Sequence, residues 1–262
     1  MKEDVFHNKG IKRKFDDFLI SIADFFNLIK DTITSFSGAS KNKKEILEEM
    51  YVIGSQAFLL VLLGGVFSGV ILAIETGHNM EKFGATILVC RTVSLGMIRE
   101  LGPVITGILL AGRTGAKNTS EIGAMQLSEQ VDALRAFGIS PIEKLVMPRV
   151  IAALIMFLPL TLIADMSGIV GGMLLTSTTF HVDLAYFWNT AVKGLEYKDV
   201  LVGAIKPVFF SFFIAIISCY YGLKTKGGTT NLGKNSIRSV VTASVIVLIL
   251  DFIFTKIVWE LM

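Results

Sequence analysis

Charge is scarce in this sequence. Asp, Glu, Lys and Arg make up 18% of 262 residues, against about 25% in soluble domains. Apolar residues reach 52%, so one or two water-soluble domains are excluded. Histidine is scarcer still. His7, His78 and His181 all stand outside the long apolar runs, which leaves no Ser/His/Asp arrangement for nucleophilic catalysis. Glu75, His78 and Glu81 lie close in sequence, but one histidine without a second ligand cluster is too little for a metal site. Two cysteines, Cys90 and Cys219, sit inside apolar runs, where free cysteine packs as a small apolar side chain; a disulfide framework is excluded. Ten-residue alternating strands are missing, which argues against a membrane β-barrel. No internal repeat is visible. Gly228 to Asn235, "GTTNLGKN", has the spacing of a phosphate loop. Asn235 stands where Ser or Thr should meet magnesium, however, and no strand precedes it.

Uninterrupted apolar runs are abundant. Tyr51 to Ile74 is 24 residues without a charge, longer than the ~20 needed to cross a bilayer core. Four more runs follow: Gly84 to Gly112, Val150 to Ser177, Val200 to Leu223 and Ser239 to Leu261. The expected fold is therefore an all-α integral membrane protein with five transmembrane helices over residues 51–262. Gly65 and Gly69 in the first run allow a close helix–helix approach.

The cations are unevenly placed. Residues 1–50 carry nine Lys and Arg, residues 112–149 five and residues 224–238 four, whereas 75–83 carry one and 178–199 two. The positive-inside rule puts the N-terminus and the two basic loops in the cytoplasm. Five crossings then put the C-terminus outside. Tyr186, Phe187, Trp188 and Tyr197 are expected in an aromatic belt at the outer interface. Residues 1–50 form a separate region. Phe15, Phe18, Leu19, Ile22, Phe25, Phe26, Ile29, Ile33 and Phe36 recur at helical period, unlike the contiguous core of a signal peptide. This is an amphipathic interfacial helix with Lys9, Lys12, Arg13 and Lys14 ahead of it, suited to anionic lipid. Phe36 to Glu45 reads as a linker, with a helix starting at Lys43 and running into the first span.

One cytoplasmic stretch is polar yet strongly punctuated. Asn118 and Glu121 have the spacing of a helix N-terminal cap. Ile122, Met125, Leu127, Val131 and Leu134 make a broken apolar stripe, and Gly138 suits a helix C-terminus. Ser140, Pro141 and Glu143 open the next helix. A discrete short helix over about 118–139 is expected between the second and third spans.

Residues 99–150 resemble the signature of the MlaE/YrbE family, permease subunits of ABC transporters that work with MCE proteins to move lipids. The likeness rests on Glu100-Leu-Gly-Pro103, Ala111-Gly-Arg113, Glu121-Ile-Gly-Ala-Met125, Glu129-Gln-x-Asp-Ala-Leu134, Gly138-Ile-x-Pro141 and Pro148-Arg149. Lys117 and Asn118 depart from the small residues usual in the family. The resemblance implies that the polar helix is a coupling helix docking into a cytoplasmic ABC ATPase. Glu121, Met125, Glu129, Asp132 and Arg135 are then the expected contacts. It further implies a multi-pass protein of the inner membrane, a periplasmic MCE-domain partner and a small STAS-type cytoplasmic protein. ATP and magnesium would be bound by the ATPase, with no cofactor, enzymatic activity or nucleic-acid partner on this chain. One copy is too small to enclose a lipid, so a homodimer is expected.

Charges inside the spans cost ~2.5–3.5 kcal/mol each on insertion scales, so they pair or face water. Arg91 and Asp165 read foremost as structural ion-pair members, and Lys256 and Glu260 as a helix-end pair. Glu100 precedes Pro103, and Lys206 precedes Pro207. Each proline frees a carbonyl one turn back, that of Arg99 or Gly203, and interrupted spans beside charges mark transport sites. Arg99, Glu100, Lys206 and Asp251 are the lipid-translocation candidates, with Glu100 facing the cavity and Lys206 attracting a lipid phosphate near the outer leaflet. Arg99 and Glu100, ~100° apart on a helix, should meet different neighbours. The alternative is an ion-driven secondary carrier using Glu100, Asp165 and Asp251 as a relay.

Overall fold

The computed structural model describes residues 3–36 and 42–261, with side chains for 19–36, 42–258 and 260. These residues form eight helices and no strand: α1 (Glu3–Ser35), α2 (Lys43–Glu81), α3 (Leu88–Leu127), α4 (Gln130–Ala136), α5 (Ile142–Phe180), α6 (Leu184–Lys193), α7 (Tyr197–Leu223) and α8 (Thr229–Leu261). Helices α2, α3, α5, α7 and α8, the last as far as Val258, are long and apolar enough to cross a membrane. They match the five runs in order. Helices α2, α3, α5 and α8 outrun their apolar segments at the end that carries the basic loops. That basic end holds α1, α4 and the α7–α8 turn, and α6 lies at the opposite end.

Helix α2 packs along α5, and α7 sits between α5, α3 and α8. The α2–α5 seam depends on missing side chains. A methyl on Gly65 would lie 2.8 Å from the Ala164 Cα, and one on Gly69 would lie 2.6 Å from the Gly168 Cα. The two backbones therefore touch, which in lipid replaces the hydrophobic drive with close van der Waals packing. The main core then forms around Val61, Phe157, Leu160 and Phe210, and a smaller one around Val93, Met97 and Phe187.

Three readings need correction. The polar insert is not a discrete helix. Asn118 caps nothing; it is 1% exposed inside α3, with its Nδ2 3.4 Å from Ser218 Oγ on α7. Helix α3 runs unbroken to Leu127 and absorbs two wider π turns, at Met97–Leu101 and Ala111–Gly115. The break falls instead at Ser128–Glu129, where Glu129 adopts φ 59°. The far end matches expectation: Gly138 has φ 74°, and bonds from Gly138 N to Arg135 O and from Ile139 N to Leu134 O close α4 with a Schellman motif. Second, Phe187 is buried against the small core at 1% exposure, while Tyr186, Trp188 and Tyr197 are exposed. An α6 only 10 residues long needs an aromatic anchor to dock, and Phe187 supplies it. Third, the apolar stripe of α1 divides. Phe25 and Ile29 pack against the core, joined there by Leu28 from outside the stripe, whereas Leu19, Ile22, Phe26, Ile33 and Phe36 stay exposed. The Phe15 and Phe18 side chains and most of the linker lie outside the described residues.

Gly69→Leu should block the α2–α5 seam, because overpacking at a backbone contact costs about 1–3 kcal/mol or more. A lowered thermal unfolding midpoint in detergent reads this out. Gly112→Ala, at a site with nothing within 4 Å, should leave the midpoint unchanged.

Candidate functional site

A lysine within a membrane span has three N–H donors to satisfy. Lys206, on α7, is completely buried and finds four acceptors. Its Nζ lies 2.7 Å from Glu100 Oε2, 2.8 Å from Asp251 Oδ1, 2.8 Å from the Arg99 carbonyl and 3.0 Å from Thr255 Oγ1. The Arg99 carbonyl is free because Pro103, four residues on, has no N–H to offer it. Thr255 Oγ1 lies 3.0 Å from Glu100 Oε1 and can donate to it. One ammonium thus ties α3, α7 and α8 together. Its charge is spent inside the bundle, so the expected direct contact between Lys206 and a lipid phosphate has no N–H left to make it.

Arg99 faces elsewhere, as its position on the helix requires. Its guanidinium pairs with Asp199 at the start of α7. Asp199 is 1% exposed and also accepts the Glu196 N–H through Oδ2 at 2.9 Å. Arg99 and Glu100 keep 28% and 38% of their side chains exposed, and both line a cavity of about 360 Å³ with Thr92, Leu95, Val202 and Thr255. The whole constellation holds two cations and three carboxylates. Asp199 and Thr255 were missed in sequence. Asp199 carries a weak signal, as the third residue of a capping box with Glu196.

Other charges fall into place differently. Asp165 has no ion-pair partner among the described residues. It is 5% exposed, and its Oδ1 accepts no hydrogen bond and fills the space above Gly102. Arg91 likewise forms no ion pair among the described residues. Lys256 and Glu260 pair loosely at 3.8 Å. At the basic end, Glu49, Lys117, Glu121 and Arg149 close a ring across α2, α3 and α5, with contacts of 2.9 to 3.3 Å. Lys117 and Asn118, the departures from the family pattern, thus bind α2 and α7. Glu121 is engaged in this ring, and Met125 is half-buried beside it. Beyond the break, Glu129 is exposed, and Asp132 and Arg135 pair at 2.9 Å on the surface. Phe137, also missed, stands 82% exposed at the tip with Ile139 at 44%.

A five-span bundle with an ion cluster beside a cavity, and an exposed helical tip at one end, is the architecture of a multi-pass membrane protein. The "Permease MlaE" family model matches residues 46–257. A probable ABC transporter permease protein of Rickettsia typhi is 35% identical over 82% of this chain and 83% of its own. One from Synechocystis is 32% identical over 84% and 83%. The intermembrane phospholipid transport system permease protein MlaE of Haemophilus influenzae is 32% identical over 91% of this chain and 94% of its own. The chain belongs to the MlaE permease family.

Lys206→Met should destabilise the fold by about 3 kcal/mol, because it leaves Asp251 and the partly exposed Glu100 inside the bundle without their cation. Combining it with Glu100→Gln and Asp251→Asn should restore most of the loss. Denaturant titration of the three proteins in detergent checks both directions.

Proposed function

We propose that this chain is the membrane-spanning half of an ABC transporter that moves phospholipid between the inner membrane and a periplasmic MCE assembly. Its relatives are named ABC transporter permeases, and one is named for phospholipid transport. The observation that carries the reading is the cavity wall of Arg99 and Glu100, braced from behind by Asp199 and Lys206. Arg99, rather than Lys206, is the cation positioned for a lipid phosphate. Glu100 offers an acceptor beside it, and Asp251 holds the brace.

The cavity of one chain is small. Pockets for drug-sized molecules span ~300–1,000 Å³, and a two-chain phospholipid is larger than such molecules. Helix α8 lines this cavity and is the least buried span, 11% in its apolar window; a second copy packed along it completes the chamber as a homodimer. The basic end lies in the cytoplasm, with the C-terminus periplasmic. There the α4 tip docks on the ATPase, which binds the ATP and magnesium, and a STAS-type protein is a further cytoplasmic partner. Phe137 and Ile139 supply the apolar knob, and Glu129, Asp132 and Arg135 its charged rim. Glu121 and Met125 brace the base. Because the first half of the insert continues α3 as far as Leu127, displacement at the base of the tip, beside Glu121 and Met125, is passed along one helix toward Arg99 and Glu100. An ion-driven carrier is not favoured: two of its three relay acids, Glu100 and Asp251, are bound to one lysine.

In proteoliposomes with the partner ATPase, Glu100→Gln should lower ATP-driven lipid transfer about tenfold or more while the complex still assembles; unchanged transfer would remove Glu100 from the site. Phe137→Asp, or charge reversal at Glu129 with Asp132, should weaken ATPase capture in a pull-down, and undiminished capture would place the docking surface elsewhere.

A further inference from the structure

Several cations at the basic end are neutralised: Lys117, Lys144 and Arg149 all pair with carboxylates. Four that are not gather in one place. Lys224, Lys226, Lys234 and Arg238 line one pocket of about 640 Å³ with Asn231, Asn235, Tyr220 and Ser21, and no carboxylate lines it among the described residues. None of the four forms an ion pair among the described residues. Lys224 is held in place by Ser21 Oγ at 2.7 Å and Tyr220 OH at 2.9 Å. The turn that gathers them, Lys226-Gly227-Gly228, uses φ of 81° and 98° at its glycines, which a side chain would disfavour. It delivers the N-terminus of the 33-residue α8 to the pocket, adding partial positive charge. An anion is the complement of this mouth.

The chemistry changes just below. An apolar groove of about 340 Å³ shares Ser21, Tyr220 and Tyr221 with the basic pocket and continues between Ile22, Phe25 and Phe26 of α1 and Ile217 and Ile246 of the bundle. From Lys224 to Ile217 the groove descends about 10 Å along α7, at ~1.5 Å per residue. A cationic mouth over an apolar floor fits a single molecule with a phosphate at one end and hydrocarbon at the other. We infer that this is a binding site for one anionic phospholipid of the cytoplasmic leaflet, its phosphate among Lys226, Lys234 and Arg238 and an acyl chain in the groove beneath α1. It is separate from the Arg99–Glu100 cavity: Lys206 lies 14 residues from Tyr220 on the same helix, about 21 Å away. The lipid clamps α1 to the α7–α8 corner. The leaflet assignment rests on the orientation given above; the binding does not depend on transport.

The test is native mass spectrometry of the full-length chain in neutral detergent, titrated with phosphatidylglycerol and with phosphatidylcholine of the same acyl chains. The wild type should prefer phosphatidylglycerol about tenfold or more. K226A/K234A/R238A should lower phosphatidylglycerol affinity about tenfold to a hundredfold, roughly 1.4–2.8 kcal/mol, with phosphatidylcholine binding unchanged as the check on folding. K226R/K234R should keep the preference, and so should Glu100→Gln. Equal binding of the two lipids by the wild type, or a preference that survives in the triple alanine variant, overturns the site. Loss in Glu100→Gln alone would move the lipid to the transport cavity. Full displacement by millimolar inorganic phosphate would make it a simple anion site. A transport defect in Glu100→Gln with lipid binding intact supports both readings, and normal transport with binding intact removes the permease role of Glu100 while leaving this site standing.

Discussion

A cation buried among lipid-facing helices must be given acceptors, and Lys206 sets that demand for this protein. Helix α3 answers with a carboxylate and a backbone carbonyl, α8 with a carboxylate and a hydroxyl. Because the distances are those of hydrogen bonds, the three helices cannot slide without breaking several contacts in a low-dielectric interior, where an unpaired charge is costly. The proline that releases the Arg99 carbonyl serves this one ammonium. Glu100 stands half in the cluster and half in the cavity.

The bundle has a stiff side and a working side. On the stiff side α2 and α5 meet backbone to backbone, and the Glu49–Lys117–Glu121–Arg149 ring fastens their basic ends to α3. On the working side α3, α7 and α8 surround the ion cluster and leave the cavity open. Helix α3 belongs to both. From Glu100 to Leu127 it spans about 40 Å at ~1.5 Å per residue, one continuous lever from the cavity wall to the base of the exposed tip. Its π turns at Met97–Leu101 and Ala111–Gly115 are the places where hydrogen-bond register can shift locally.

Charges at the two ends do opposite work. Near Glu100 the charges that line the cavity are braced by opposite ones, Arg99 by Asp199 and Glu100 by Lys206. At the α7–α8 corner the cations are left unbalanced beside an apolar groove, which suits a ligand that stays. Both arrangements follow from the same rule, that charge next to hydrocarbon is tolerated only with a partner.

The sequence by itself determined the five spans, their order, the basic end and the family, because long apolar runs, cation asymmetry and the motif from Glu100 to Arg149 are local properties of the chain. It also marked Glu100, Lys206 and Asp251 as unusual, since a charge within a span is costly wherever it stands. Tertiary structure decided what they do. Whether Lys206 reaches a ligand or a neighbouring carboxylate depends on which faces of α3, α7 and α8 meet, and Asp199 and Thr255 enter the site from residues 100 and 155 positions away from Arg99 and Glu100. The same holds for Asn118. Its spacing to Glu121 is that of a helix cap, yet Ser218 on α7 supplies a buried partner, and the helix runs on past it. Local patterns state what a residue can bond; packing against distant helices selects the bond that forms.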